Sequence, residues 1–282
     1  MKQYFLTLAG LQIMLCTPTE IIISENLRPF MQQAQEKTDC TILLQSSDRL
    51  PARDESGVWH GLEFYDYDAG AARIFHCTAP QSAAFAVTEL SQDGNIQIRV
   101  LPEYLSYFTG SAGIFNRIGL ETLLLQHGGL LLHASLIKFN EKAVAFAGPS
   151  GVGKSTQAEL WHTHMGAEIL NGDRSALRQT QDGWTAYGSA YAGTSGIYKN
   201  NSAPLAAIVL LRQAKQNRIT RLQPVEAFGY IYPELSIHSW DKNFVTQATD
   251  LCVQLLSDTA VYLLECVADE SAVALTKKGI GL

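Results

Sequence analysis

No apolar run in this 282-residue chain reaches the roughly 18 residues that a membrane-spanning helix needs. No Lys/Arg cluster stands out either. With 21 Lys and Arg against 27 Asp and Glu the net charge is −6, which argues against a nucleic-acid partner and a membrane-surface role. Cysteine is sparse: Cys16, Cys40, Cys77, Cys252 and Cys266 are odd in number, widely spaced and form no C-x-x-C. That pattern excludes a disulfide framework and a cysteine zinc site, and it fits buried thiols in a reducing compartment. Internal repeats and low-complexity segments are absent as well. A 46% apolar, 17% charged chain of this length is an ordinary globular protein with room for one large domain or two modest ones. A cytoplasmic location is the expectation.

Lys2 and the apolar residues 4–16 superficially resemble a leader peptide, but Ile13, Met14 and Leu15 are too large for a cleavage site before Cys16. The stretch reads instead as strand, with Gly10 at a turn or bulge. Residues 1–110 form a β-rich N-terminal region, with strand-like runs at 5–15, 20–23, 41–44, 73–77, 84–90 and 96–101 and a hairpin turn at Asp93-Gly94. His60 and His76 are isolated there and read as structural or exposed.

A second domain is expected over 111–282. It opens with a helix over 111–127, ended by Gly128-Gly129. Strands at 130–139 and 142–147 then form an antiparallel hairpin through Asn140-Glu141. Further strands are expected at 167–170, 175–179, 185–188, 205–211 and 261–267, with helices at 224–235, 240–257 and 270–278. The fold class is therefore α/β (α+β mixed), a mixed sheet flanked by helices.

Between the strand at 142–147 and a helix beginning near Gln157 lies GPSGVGKST, residues 148–156, which satisfies G-x-x-x-x-G-K-[ST] without a mismatch. Gly148, Ser150, Gly151, Val152, Gly153, Lys154, Ser155 and Thr156 are the candidate binders of a nucleoside triphosphate. The glycines turn backbone N–H groups toward phosphates, the helix N-terminus adds its dipole, and Lys154 adds a cation. Ser155 is a candidate Mg²⁺ ligand through its hydroxyl. Phosphoryl transfer needs a further metal-directed carboxylate, and Asp173 is the best candidate, past a strand that can run beside the loop strand. Its alternative is a turn-forming Asp in Asn171-Gly172-Asp173. His133, on the strand before the loop, reads either as a group near the phosphates or as a satisfied core histidine. His162 and His164, two apart on a helix, make a poor metal pair. An ABC-type transporter ATPase is excluded by the lack of L-S-G-G-Q, and a GTPase by the lack of N-K-x-D.

Residues 130–198 resemble the catalytic core of the HPr kinase/phosphorylase family, which shares its fold with phosphoenolpyruvate carboxykinases. LLHASLIKF with His133, then GPSGVGKST, then GAEILNGD ending in Asp173 carry the resemblance. The whole chain is similar to HPr-kinase-like bacterial proteins outside sugar transport, through NGDR, GTSGIYKNNSAPLAAIVLL, NRITRLQPVEAF and a PEL-x-IHSWD run. The resemblance implies a phosphoenolpyruvate-carboxykinase-like P-loop core that binds ATP and Mg²⁺. It puts Ser155 and Asp173 on the metal, and His133 near the transferred phosphoryl group. It implies a glycine-bearing substrate loop at 193–200, in which Lys199 either stabilises charge or is merely solvated. Multimers are common in the family, so a homo-oligomer is admitted. Two departures matter: the family's pair of adjacent acids is here Gly172-Asp173, and its basic C-terminal docking motif has no counterpart. HPr itself is therefore not the expected acceptor.

Three functions follow. The first is an ATP:hydroxyl phosphotransferase acting on a peptide or protein serine or on a small molecule, with His133, Lys154 and Asp173 as its catalytic residues. The second is a non-catalytic ATP-binding sensor, favoured by the missing second acid. The third is carboxykinase-like chemistry, which calls for an arginine pair such as Arg174 and Arg178.

Overall fold

The protein is described here by a computed structural model covering residues 1–34, 37–68, 71–91, 93–110, 119–191 and 193–282. Within these residues it is mixed α/β, with two mixed sheets and six helices. It divides into two compact units, Met1–Leu123 and Leu124–Leu282. The division falls at 123/124. Residues 111–118 of the expected joining helix lie outside the described residues; a short helix α1 (Ser106–Thr109) precedes them and α2 (Leu120–Gln126) follows. Among the described residues no helix is long and apolar enough to cross a membrane.

Among its described residues the N-terminal unit holds nine strands: β1 (Lys2–Leu8), β2 (Leu11–Thr17), β3 (Met31–Gln32), β4 (Cys40–Ser46), β5 (Val58–His60), β6 (Glu63–Asp68), β7 (Ala71–Cys77), β8 (Ala84–Leu90) and β9 (Ile96–Val100). Their order is β3-β1-β2-β4-β9-β8-β7-β6-β5. Ala9 and Gly10, at φ 51° and 75°, make the two-residue turn between β1 and β2, so 5–15 is a hairpin. The run at 20–23 forms no strand. Its amides go singly, from Ile21 to the Tyr4 hydroxyl and from Ile22 to the Thr109 carbonyl, instead of to a neighbouring ladder. His76 is buried, with Nε2 2.9 Å from Thr88 Oγ1 and Nδ1 3.2 Å from Glu63 Oε1, so its ring is satisfied internally.

The C-terminal unit is organised by β10 (Gly129–Phe139). One edge of β10 pairs with β11 (Lys142–Ala147) through residues 134–139. The other pairs with β12 (Glu168–Asn171) and, nearer its start, with β13 (Arg174–Thr180). β14 (Gly183–Tyr187) continues the ladder to β15 (Ser202–Gln213), which also runs parallel to β11 and to β17 (Ala260–Cys266); β16 (Arg218–Arg221) flanks β17. Alternate residues of β11 enter two separate cores. Ala143, Ala145 and Ala147 lie in one with the helices α4 (Pro224–Ile231) and α5 (Lys242–Asp258). Val144 and Phe146 lie in the other with α3 (Lys154–Met165) and α6 (Glu270–Ile280). Burial on both faces is what makes β11 and β15 continuous apolar runs. Trp161 of α3 is fully buried against Phe139 and Phe146, which seats the helix whose first turn carries Lys154 and Ser155.

Candidate functional site

β11 delivers the chain from the core directly into the glycine-rich loop. Gly148, Gly151 and Gly153 take φ of 137°, 79° and 114°, a region that L side chains rarely adopt, so the loop's path depends on glycine. A Cβ at Gly151 or Gly153 would meet nothing within 4 Å, so the space beside both is open. α3 starts at Lys154, while Ser155 and Thr156 are exposed in its first turn. Lys154 is buried, and its Nζ donates to Gly148 O at 2.6 Å and Pro149 O at 3.2 Å. Burial pulls its ammonium below the usual lysine range, and Glu234 and Asp173 pull in the opposite direction. Those two carboxylates are therefore the charges that Lys154 feels.

Asp173 reaches this position by a route the sequence did not suggest. β12 pairs with β10, not with the loop strand β11. The chain then turns at Gly172-Asp173 into β13, whose Arg174 is the register partner of His133. That register brings His133 Nε2 to 3.5 Å from Asp173 Oδ1. The turn is pinned by Asn171, which is fully buried. Asn171 Oδ1 accepts from the Asp173 and Arg174 amides at 2.9 and 2.8 Å, while its Nδ2 donates to Ser189 O and Tyr191 O. Asn171 is thus the residue that aims Asp173, and its place in Asn-Gly-Asp was the only sequence cue.

Gly172, where a second acid is missing, has a steric reason. A Cβ there would lie 2.0 Å from Ser195 Oγ and 2.5 Å from Ser195 Cβ, so the 3-10 turn Gly193–Ser195 leaves no room for a side chain. Gly193 packs as closely on Asp173, with a Cβ falling 2.6 Å from Asp173 Cβ. Gly193 of this turn therefore lies against the acid. Gly172→Ala should destabilise the protein by about 1–3 kcal/mol. Ser195→Gly in the same chain should recover most of that loss, because Ser195 Cα is 4.0 Å from the new Cβ. Urea denaturation of the two single variants and the double variant checks this; a Gly172→Ala protein as stable as wild type contradicts it.

Glu234 was not anticipated. It ends the 3-10 turn Tyr232–Glu234 after α4. The following residues clamp onto β10 through a Leu132–Leu235 bridge and a Ser236 N to Leu131 O bond of 2.9 Å. Its Oε2 lies 3.2 Å from His133 Nδ1, with the carboxylate side chain only 12% exposed. It also lines an open cavity of about 560 Å³ against the loop, together with Pro149, Ser150, Arg212 and Tyr230. A second cavity of about 340 Å³ lies against Gly153, Thr156 and Gln157, where β15 and β17 end near Ala214 and Val267. His133 and Glu234 are 101 positions apart, and no local signal marks the contact.

The other candidates fall away from this cluster. Arg174 and Arg178 sit opposite His133 and Gly129 respectively on an extended strand, about 13 Å apart, and Arg178 Nε donates to His127 O. They form no carboxylate clamp. Lys199 is paired with Glu168 Oε1 at 2.9 Å. His162 Nδ1 is 2.8 Å from Ala167 O, and His164 faces Glu270. Among the described residues no group of three or more His, Cys, Asp or Glu side chains is arranged to hold a metal. His133 lies between Asp173 and Glu234, so the three do not converge on one point. The Asp173 carboxylate and the Ser155 hydroxyl are each oxygen donors of the kind that Mg²⁺ takes. A scan against protein-family models finds no match for the chain, and a search of the curated proteins finds none.

Proposed function

We propose that the protein is a Mg·ATP-dependent phosphotransferase that moves the γ-phosphate to a hydroxyl acceptor, a peptide or protein serine or a small molecule. On this reading it is a cytoplasmic, HPr-kinase-like protein of the non-HPr branch, with a phosphoenolpyruvate-carboxykinase-like core. One observation carries the reading: Asp173 and His133, drawn from different parts of the sheet, meet at 3.5 Å, and the Asp173 charge acts on the lysine of a glycine-rich loop. The five free thiols fit the proposed compartment.

Gly148, Ser150, Gly151, Val152, Gly153, Lys154, Ser155 and Thr156 hold the triphosphate through backbone N–H groups and the Lys154 ammonium. Ser155 and Asp173 would hold Mg²⁺, which would neutralise charge on the phosphate oxygens. Lys154 exchanges its bonds to the Gly148 and Pro149 carbonyls for phosphate oxygens, a gain in charge pairing at a partly desolvated site. The acceptor oxygen attacks phosphorus, the O–P bond forms, and the bond to the β-phosphate oxygen breaks with its electron pair leaving on ADP. The acceptor proton passes to the His133–Asp173 pair. Catalysis is mainly positioning and charge stabilisation.

A second reading, an ATP-binding sensor without turnover, is favoured by Gly172, because Ser195 bars an adjacent acid there. Incubation of the protein with labelled Mg·ATP, pooled bacterial peptides and small hydroxyl compounds separates the two. Acceptor-dependent ADP and phosphoproduct support the phosphotransferase. Saturable binding with no product under any acceptor supports the sensor.

A further inference from the structure

Two cavities flank the glycine-rich loop, and both touch Gly151, Val152, Leu211 and Gln213. The larger, of about 560 Å³, adds Gly148, Pro149, Ser150 and Glu234, so it lies on the side of a carboxylate whose charge Lys154 feels. The smaller, of about 340 Å³, adds Gly153, Thr156 and Gln157 from the end of the loop and the first turn of α3. Among the described residues no charged side chain lines it. A loop lysine serves the outer phosphates, so a triphosphate with its γ end toward Glu234 sends its nucleoside out on the other side. There the parallel strands β11, β15 and β17 end, and Ala214 N donates to Cys266 O at 3.0 Å, which ties the last two ends together. Crevices outside the carboxyl ends of such strands are where α/β sheets take ligands. Gln157 is the unusual residue of this wall. It is 2% exposed, its Oε1 has no hydrogen-bond partner, and its Nε2 donates to Cys266 Sγ at 3.5 Å, a weak bond. A buried amide oxygen without a donor is costly. The terminal amide torsion is soft, so turning the group toward the cavity gives up little besides the sulfur contact.

We propose that the 340 Å³ cavity seats the nucleobase and that Gln157 is the residue that selects an adenine there. The wall asks for a flat, largely apolar ring with an N–H donor on its edge. Adenine supplies both: its ring lies among Val152, Leu211, Cys266 and Val267, and its exocyclic amine donates to Gln157 Oε1. Base binding rests on the proposed function, since it requires the triphosphate on the loop, but it needs no turnover.

Calorimetric titrations of the full chain compare ATP, purine riboside triphosphate (which lacks the amine) and inorganic tripolyphosphate, each with Mg²⁺. The wild type should bind ATP about tenfold more tightly than purine riboside triphosphate, and that in turn more tightly than tripolyphosphate. Gln157→Leu should abolish the first difference. Ala214→Trp, which fills the cavity, should bring ATP down to the level of tripolyphosphate. Alkylation of Cys266, the one cysteine that is not buried, reads the location without any substitution. ATP should slow it and tripolyphosphate should not. Equal affinity for ATP and tripolyphosphate, or Cys266 alkylation unaffected by saturating ATP, overturns the inference and leaves phosphate binding by the loop standing. A preference for the amine that persists in folded Gln157→Leu protein overturns the role of Gln157. No saturable binding of either ATP or tripolyphosphate removes the proposed function and the base site together.

Discussion

Asp173→Ala is expected to lower Mg·ATP turnover by about 10³-fold while leaving the fold intact. Asp173 is about one-third exposed and makes no core contact that its loss would orphan, since its backbone is held by Asn171 rather than by its own carboxylate. The carboxylate is nevertheless the group that faces both His133 Nε2 and the Lys154 charge. On the proposed reading, its removal takes away the carboxylate assigned to the metal. Steady-state kinetics beside circular dichroism make the comparison. Turnover within tenfold of wild type in a folded Asp173→Ala protein contradicts the assignment.

The second large effect is in the N-terminal unit. Asp66 and Arg73 face each other across β6 and β7, 3% and 5% exposed, with Oδ1–Nε at 2.6 Å and Oδ2–Nη2 at 2.7 Å. The hydrogen bond to Asp66, ahead of the surrounding charges, holds the Arg73 guanidinium in its charged form above the usual arginine range. Among the described residues Asp66→Ala leaves that buried cation the exposed Asp68, at 3.1 Å, as its ion-pair partner, and should destabilise the unit by about 3–5 kcal/mol. Replacing both partners, as Asp66→Ala with Arg73→Met, should restore most of the loss because no buried charge remains unpaired. Urea denaturation followed through Trp59, which lies in this unit, reads the effect. A single variant that loses less than about 1 kcal/mol contradicts it.

These two sites mark where sequence reading worked and where it stopped. The loop, its strand and its helix were legible because β11 matches the 142–147 run and the glycines mark the required positive φ. β6 was hidden because Glu63, Asp66 and Asp68 look solvent-directed in sequence, and only the opposite Arg73 makes Asp66 an interior residue. β16 escaped notice for a similar reason, its four residues beginning and ending in arginine. Asp173 could be named from its turn, but its neighbour depends on β12 joining β10, a pairing no local pattern encodes. Glu234 was beyond reach altogether, since its contact with His133 exists only once the chain after α4 returns to β10. The arginine pair failed because residues four apart on a strand are far apart, whereas on a helix they would be neighbours.

The most direct test of the account is a calorimetric titration of Mg·ATP into the wild-type protein and Lys154→Ala. Saturable one-to-one binding by the wild type, lost in a folded Lys154→Ala variant, is the result expected from a triphosphate held on the 148–156 loop. No saturable binding by the wild type, or equal binding by both proteins, would contradict it.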